Sequence, residues 1–320
     1  LFQLNWHVGN IIRLESSING SSWSTISNTN ATYLSGALTQ TTYFRAVVQS
    51  SGCTIVNSNN FIVNINTAPA ITGTLSACIG NTSTLTGTPS PVANPWQSSN
   101  PGIANISATG LVTAVSSGTT SITYTNTNGC TATVSFVVNA TPSLLVTNPT
   151  PVCNPNTINL TSANVTLGST PGLSYAYYTN SLATLTLTNN TAVATSGTYY
   201  IKGTDANGCS TSVNPVSVLI NSLPTYTING TSPICAGSST TLTSSSANSY
   251  LWSNGLGTTS SITVTPLNTT TYTVTGTDSN GCAGNGTFTV NVNPLPNINA
   301  GTDKSICIGS SVILSGTGAG

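Results

Sequence analysis

Charged side chains are almost absent from this sequence. Only 2% of its 320 residues are Asp, Glu, Lys or Arg, whereas an ordinary soluble protein has about 25%. The formal net charge is zero, and no cluster of basic residues stands anywhere in the chain. Since such clusters drive binding to nucleic acid and to anionic membranes, we expect no nucleic-acid partner and no membrane insertion of this segment.

Groups that could carry chemistry are equally scarce. One His and four carboxylates offer no paired acids and no positioned base for hydrolysis. No two cysteines stand at the spacing of zinc ligands, and the carboxylates are too sparse to cluster around calcium. Backbone carbonyls near Asp303 keep one calcium alternative open. We predict no catalytic residue, no cofactor and no metal, and hence a protein that is not an enzyme.

Long apolar runs and Met are also missing. No run approaches the ~20 residues of a membrane span, and without Met the sequence has no start and no signal peptide. We therefore expect the natural termini to lie elsewhere. The 38% of residues that are hydrophobic alternate with Thr and Ser. This period of two predicts half-buried β-strands and argues against disorder.

The eight cysteines fall into two alternating classes. Four follow an apolar residue and precede an alternating strand, and we call them entry cysteines: Cys78, Cys153, Cys235 and Cys307. Four follow a glycine in a tight turn, and we call them turn cysteines: Cys53, Cys130, Cys209 and Cys282. Each class recurs about every 70 to 80 residues. The chain is therefore a tandem repeat.

The repeat has the pattern of a β-sandwich. Alternating runs are separated by turn residues about every 8 to 12 positions, without helical periodicity. We predict an all-β chain of tandem immunoglobulin-like (Ig-like) β-sandwich domains that form an elongated rod. Prolines mark the boundaries, giving a domain that lacks its first strands, three whole domains and the start of a further one: 1–67, 68–140, 141–222, 223–294 and 295–320.

Two disulfide schemes fit the spacing. The first pairs cysteines within each domain, as Cys78–Cys130, Cys153–Cys209 and Cys235–Cys282, and leaves Cys53 and Cys307 for partners outside this stretch. The second pairs across the linkers, as 53–78, 130–153, 209–235 and 282–307. Spacing alone does not decide between them, and we predict the first. Either scheme predicts an oxidising location, extracellular or periplasmic, and we expect the cell surface.

The aromatic residues mostly predict packing. Trp96 and Trp252 follow their entry cysteines at nearly equal spacing, where a sandwich places an inward aromatic near its disulfide. Tyr43, Tyr199 and Tyr272 each stand ten residues before a turn cysteine and predict a strand anchor. If any aromatic residue stacks on a surface glycan, Trp23 is the candidate. Asp205 and Asp278 occupy the same turn in two repeats, which indicates a structural role.

Two segments of the fourth domain carry a family resemblance. The segments are Pro233–Leu242 and Thr270–Cys282, and Gly301–Leu314 opens another module of the same kind. They resemble Ig-like and PKD-like repeats of Bacteroidota surface proteins, found beside gliding-motility-associated domains in cargo of type IX secretion. The resemblance implies export, cell-surface exposure and a role in adhesion or gliding.

The other domains resemble further surface modules. Residues 68–140 resemble the bacterial Ig-like group 2 domain of intimin- and invasin-type adhesins, through Trp96–Pro101 and Thr109–Ala114. Residues 13–53 resemble a third repeat common in the same large proteins. Such modules also serve as spacers in secreted enzymes, so the family specifies a module and not an activity.

The leading hypothesis for function is mechanical. The repeats would form the stalk of a large secreted bacterial adhesin or filament that holds a distal adhesive tip away from the cell. The partners would be neighbouring repeats of the same chain, other copies in filaments or bundles, and a surface glycan. The alternatives are a glycan- or host-binding module and a spacer in a secreted multidomain enzyme.

Overall fold

The structure is a computed structural model that describes residues 2–3 and 9–318, so Trp6 and His7 lie outside the described residues. It contains 28 β-strands and two 3-10 helices, and no α-helix in the described ranges. The predicted all-β class is confirmed. Contacts divide the chain into two compact units, one of residues 1–141 with 207–209 and the other of residues 142–206 with 210–320.

The first unit begins with a five-stranded sheet and a separate strand pair. Its strands are β1 (Phe2–Gln3), β2 (Asn10–Ser17), β3 (Ser24–Ile26), β4 (Thr32–Tyr33), β5 (Thr42–Gln49), β6 (Val56–Asn57) and β7 (Phe61–Val63). The sheet runs in the order β3-β2-β5, with β6 and β7 also paired to β5, while β1 pairs with β4. Leu14, Phe44 and Ala46 are buried on one side of this sheet.

A sandwich of two four-stranded sheets completes the first unit. Its strands are β8 (Ala70–Gly73), β9 (Ser76–Cys78), β10 (Thr82–Thr88), β11 (Pro91–Ser98), β12 (Ala104–Ile106), β13 (Leu111–Ala114), β14 (Gly118–Asn126) and β15 (Thr131–Asn139). The sheets are β12-β13-β10-β8 and β11-β14-β15-β9. Every second residue of β14 from Thr120 to Asn126 is buried, as a half-buried strand requires. Leu85, Val112 and Phe136 fill the space between the sheets.

The second unit starts with a smaller, looser set of strands. They are β16 (Val152–Cys153), the 3-10 helix η1 (Ala163–Val165), β17 (Ser174–Tyr178), β18 (Gly197–Thr204), β19 (Asn214–Val218) and β20 (Ile220–Asn221). The order β17-β18-β19 forms one antiparallel sheet, and β16 pairs in parallel with β20. Leu160, Val193 and Ile201 are fully buried between these parts.

The last complete set of strands follows the same plan. Its elements are β21 (Ile228–Asn229), β22 (Ile234–Cys235), β23 (Thr240–Ser244), β24 (Ser249–Trp252), the 3-10 helix η2 (Ser253–Gly255), β25 (Ser261–Val264), β26 (Thr270–Thr277), β27 (Ala283–Val290) and β28 (Val292–Asn293). Sheets β21-β23-β25 and β24-β26-β27 enclose Leu242, Trp252 and Val274, while β22 pairs with β28. Residues 295–318 are exposed and carry one isolated bridge, from Asn299 to Thr317.

Candidate functional site: the repeat cysteines

Three entry cysteines end a short strand that runs parallel to the last strand of the same domain. Each lies opposite an Asn in that strand: Cys78 opposite Asn139, Cys153 opposite Asn221, and Cys235 opposite Asn293. The amide after each cysteine donates to the carbonyl of that Asn, at 2.9 to 3.1 Å. The carbonyl of each cysteine accepts from an amide three residues on, at 2.9 Å in all three cases. The backbone therefore presents the entry thiols in one repeated geometry.

Two of the turn cysteines, Cys130 and Cys282, are held by a side chain four residues earlier. Oδ1 of Asp278 accepts the amide hydrogens of Cys282 at 2.8 Å and of Asn280 at 2.9 Å. Asn126 makes the corresponding bonds in the second domain, including one of 3.0 Å to the amide of Cys130. Gly281 before the cysteine has a φ of 79°, which side-chain-bearing residues rarely adopt. This Asx turn explains why the sequence repeats Asx and Gly-Cys at fixed spacing.

The structure contains two disulfides, and they follow neither predicted scheme. Cys78 bonds to Cys209 and Cys153 to Cys282, with sequence separations of 131 and 129 and with Cα atoms 5.5 Å apart in both pairs. Each bond joins the entry cysteine of one repeat to the turn cysteine of the following repeat. Four cysteines are left with free thiols: Cys53, Cys130, Cys235 and Cys307. The predicted pairs Cys78–Cys130, Cys153–Cys209 and Cys235–Cys282 are therefore wrong.

Strand geometry explains why pairing within a domain fails. Cys130 lies just before β15, while Cys78 lies opposite Asn139 at the far end of that strand. The strand separates the two cysteines by about 30 Å at ~3.3 Å per residue. A disulfide needs Cα atoms within about 7 Å. In the fourth domain, β27 and β28 separate Cys282 from the position of Cys235 in the same way.

The bonded turn helps to line a groove beside its entry cysteine. Asn207 lines this groove together with Cys78, with Asn139 and with residues 82–84 of β10. Residues 207–209 consequently belong to the first unit by their contacts. The turn therefore contacts this unit through more than its sulfur atom.

The candidate glycan residue Trp23 belongs to a small charged cluster. The guanidinium carbon of Arg45 lies 3.9 Å from the centre of the Trp23 ring. Arg45 and Arg13 both bind the carboxylate of Glu15, at 2.7 and 2.8 Å. One face of the ring is thus covered by Arg45, and the cluster ties β2 and β5 together. The ring is half-buried.

Arg45 and Arg13 stabilise the charged form of the buried Glu15 carboxylate. Only 7% of its side chain is exposed, and burial by itself raises the pKa. The hydrogen bonds and positive charges of Arg45 and Arg13 outweigh burial and hold the pKa of Glu15 below its usual value.

Four of the five aromatic residues predicted to pack lie in a core or against one. Trp252 is 1% exposed and donates from Nε1 to the carbonyl of Thr259 at 2.9 Å. Trp96 packs against Tyr124 with ring centres 4.8 Å apart. Tyr199 and Tyr272 are buried, whereas Tyr43 is half-buried.

The described ranges hold no cluster of three or more His, Cys, Asp or Glu side chains that could bind a metal. In the same ranges, no helix is long and apolar enough to cross a membrane.

Two protein families match parts of this chain. A family described as a domain of unknown function matches residues 2–67. The family described as bacterial Ig-like domain (group 2) matches residues 74–137. The second match covers β9 to β14 and most of β15 in this sandwich, and it confirms the predicted type. The chain thus contains Ig-like β-sandwiches in tandem. None of the curated proteins searched matches this chain.

Solved structures of multidomain proteins show similarity as well. The N-terminal eight Ig domains of Down Syndrome Cell Adhesion Molecule share 14% identity, covering 91% of this chain and 51% of that one, with a TM-score of 0.24. A C-terminal fragment of intimin, in complex with the intimin-binding domain of its translocated receptor, shares 20% over 42% and 55%, with a TM-score of 0.29. An S-layer protein shares 16% over 91% and 37%, with a TM-score of 0.22. This chain spans about half, or less, of the length of these structures.

Proposed function

We propose that this chain is a segment of the stalk of a large secreted bacterial surface adhesin or filament, which carries a distal adhesive tip. The observation that supports the proposal best is the register of the two disulfides. Each joins one repeat to the next, as Cys78–Cys209 and Cys153–Cys282. A covalent bond between successive repeats serves a protein that transmits force along its length.

The two disulfide loops overlap, so together they shorten the covalent route from Cys78 to Cys282 more than either bond does alone. Without the bonds, the covalent route from Cys78 to Cys282 follows the whole backbone between them. Through both disulfides, the route uses only the stretch from Cys153 to Cys209. Fully unfolded, this stretch extends about 190 Å, against about 700 Å for the backbone route. Closing loops with sequence separations of 131 and 129 also stabilises the fold by about 5 kcal/mol each in the chain-entropy account.

Composition supports a location outside the cell and a structural role. Disulfides persist in oxidising compartments, so the two bonds agree with export. The four Lys and Arg residues leave few cleavage points for trypsin-like proteases. The zero net charge removes the repulsion that keeps like surfaces apart, so the proposal includes association of stalks side by side. A strict monomer in sedimentation at high concentration would reject the proposed side-by-side association.

The resemblance of the fourth domain to Bacteroidota surface repeats extends the proposal. In that form, the stalk is cargo of type IX secretion and serves attachment or gliding. The protein is then no enzyme, and its neighbours are repeats of the same long chain.

The bonding register is tested by trypsin. Trypsin cuts after Lys202, between peptides 46–202 and 203–304. In the unreduced Cys153→Ser variant, denatured before digestion, we expect the two peptides to stay joined by Cys78–Cys209. Pairing within domains would leave no bond between the peptides, and their separation on a non-reducing gel would reject the register.

Location tests the function itself. We expect antibodies raised against residues 68–294, with immunogold electron microscopy of intact source cells, to label fibres along the cell surface. Gold found only in the medium would reject the stalk function and favour a spacer in a secreted protein.

A further inference from the structure

We propose that Cys235 and Cys130 each form an inter-repeat disulfide of the same kind with a complementary cysteine of another repeat. Cys235 takes the turn cysteine of another Ig-like repeat, held in an Asx-x-x-Gly-Cys turn, and Cys130 takes the entry cysteine of another repeat. This inference rests on the proposed stalk function and names the chemistry by which such repeats are joined.

The first argument is that Cys235 is presented like the bonded entry cysteines. Like Cys153 in the same unit, it pairs in parallel with an Asn of the last strand, here Asn293. The amide of Ala236 donates to that Asn at 2.9 Å, and the carbonyl of Cys235 accepts from Ser238 at 2.9 Å. The Cys235 backbone therefore needs no rearrangement to form the bond that Cys153 forms.

The second argument is that Cys130 is presented like the bonded Cys282. Asn126 accepts from the Cys130 amide at 3.0 Å, as Asp278 does from Cys282 at 2.8 Å. In both turns, the amide of the Asx residue donates back to the carbonyl of the cysteine, at 3.0 and 2.9 Å. Gly129 has a φ of 75°, close to the 79° of the corresponding glycine.

The third argument is burial, which points to a missing partner surface. The bonded turn cysteines Cys209 and Cys282 are 1% and 0% exposed, whereas Cys130 is only half-buried. Cys153 is half-buried when bonded, whereas Cys235 is exposed. The free thiols thus lack the cover that a bonded repeat supplies to their equivalents.

The register accounts for all four free thiols at once. Pairing an entry cysteine with the turn cysteine of the following repeat assigns partners to Cys78 and Cys153 inside the chain. By the same rule, Cys235 and Cys307 bond to turn cysteines of later repeats. Cys53 and Cys130 bond to entry cysteines of earlier repeats. The four cysteines that this rule leaves without a partner inside the chain are the four free cysteines of the structure.

Bond formation follows thiol–disulfide exchange with a small or protein disulfide as oxidant, such as oxidised glutathione. The Cys235 thiolate attacks one sulfur of the oxidant, forming a mixed disulfide and releasing one thiolate. The incoming turn thiolate then attacks the Cys235 sulfur and releases the second thiolate. Two protein thiols are oxidised, one disulfide of the oxidant is reduced to two thiols, and the two protons that the protein thiols lose are taken up by the released thiolates through solvent.

The test uses two full-length variants that each keep one free thiol and both disulfides. In one, Ser replaces Cys53, Cys130 and Cys307, leaving Cys235. In the other, Ser replaces Cys53, Cys235 and Cys307, leaving Cys130. The two proteins, one of them labelled with 15N, are mixed in equal amounts in a glutathione redox buffer. Covalent dimers are counted by mass spectrometry.

Random oxidation gives half mixed dimers and one quarter of each self-dimer. We expect mixed dimers in at least tenfold excess over either self-dimer. A matched control pairs two preparations of the Cys235 variant, with and without label, and should give little dimer. A one-half share of mixed dimers, or free monomer only, would overturn the proposal. Neither result depends on where the protein is located in the cell, so the stalk function can fail or stand separately.

Peptide maps of the unreduced protein from source cells identify where the partner comes from. A bond from Cys235 to a Gly-Cys peptide in a monomeric band places both repeats in one polypeptide. The same bond in a covalent ladder places them in two copies. Cys235 recovered as a free thiol from freshly alkylated cells would also overturn the proposal.

Discussion

Reducing the two disulfides should lengthen the fully unfolded chain by about 500 Å. With both bonds intact, the covalent route from Cys78 to Cys282 includes only the stretch from Cys153 to Cys209. Reduction adds the stretch from Cys78 to Cys153 and the stretch from Cys209 to Cys282. At about 3.3 to 3.6 Å per residue, these two stretches add about 490 to 530 Å of contour length. The assay is single-molecule pulling from the two termini, with and without reductant.

Single variants give intermediate lengths that identify each bond. In Cys153→Ser, the route runs through Cys78–Cys209 and then along the backbone to Cys282, so the oxidised chain should lengthen by about 60 Å. In Cys130→Ser, the length should not change, because Cys130 is free. Pairing within domains would instead lengthen the Cys130→Ser chain by more than about 100 Å. That lengthening, or less than half of the expected gain on reduction, would refute the register.

Two further predictions concern buried polar groups. The Tyr226 hydroxyl is buried without a hydrogen-bond partner among the described residues, so Tyr226→Phe should raise the free energy of unfolding by about 1 kcal/mol in calorimetry. Tyr124→Phe is the matched control, because the Tyr124 hydroxyl donates to the Pro89 carbonyl at 2.6 Å. That variant should lower the free energy of unfolding by about 1 kcal/mol. Equal losses in both variants would contradict an unpaired Tyr226 hydroxyl. Because the folded-state pKa of Glu15 is lowered, its stabilisation is present above the unfolded pKa of about 4.3 and is lost as pH falls through the folded value. Melting followed from pH 6 to 2 should therefore show an acid-dependent loss that Glu15→Gln reduces, and identical pH curves for the two proteins would reject it.

Local features of the fold were predictable from the sequence. Alternation of Thr with apolar residues predicts strands such as β14, because every second side chain of a strand points to the same face. The Asn-Gly and Gly-Cys turns were recognisable because Asx and glycine favour the required backbone angles. The burial of Trp252 followed from its spacing after Cys235.

The site was predictable only in part. The side chains that contact Trp23 were not foreseen, because Arg45 is distant from Trp23 in the sequence and reaches it through the pairing of β2 with β5. That pairing contains an irregularity between Ile11 and Arg13, which shifts which residues stand opposite one another. Such a shift depends on packing and leaves no local signal in the sequence.

The sequence by itself determined the repeat, the all-β class and the two classes of cysteine, because each depends on residues close together in the chain. Only the tertiary structure decided the bonds between cysteines. Cys78 lies opposite Asn139, at the far end of the strand that begins beside Cys130. This parallel pairing joins residues that are distant in the sequence and places the cysteines of one domain at opposite ends of a strand. Since a disulfide bridges only a few ångströms, the thiols bond to the next repeat.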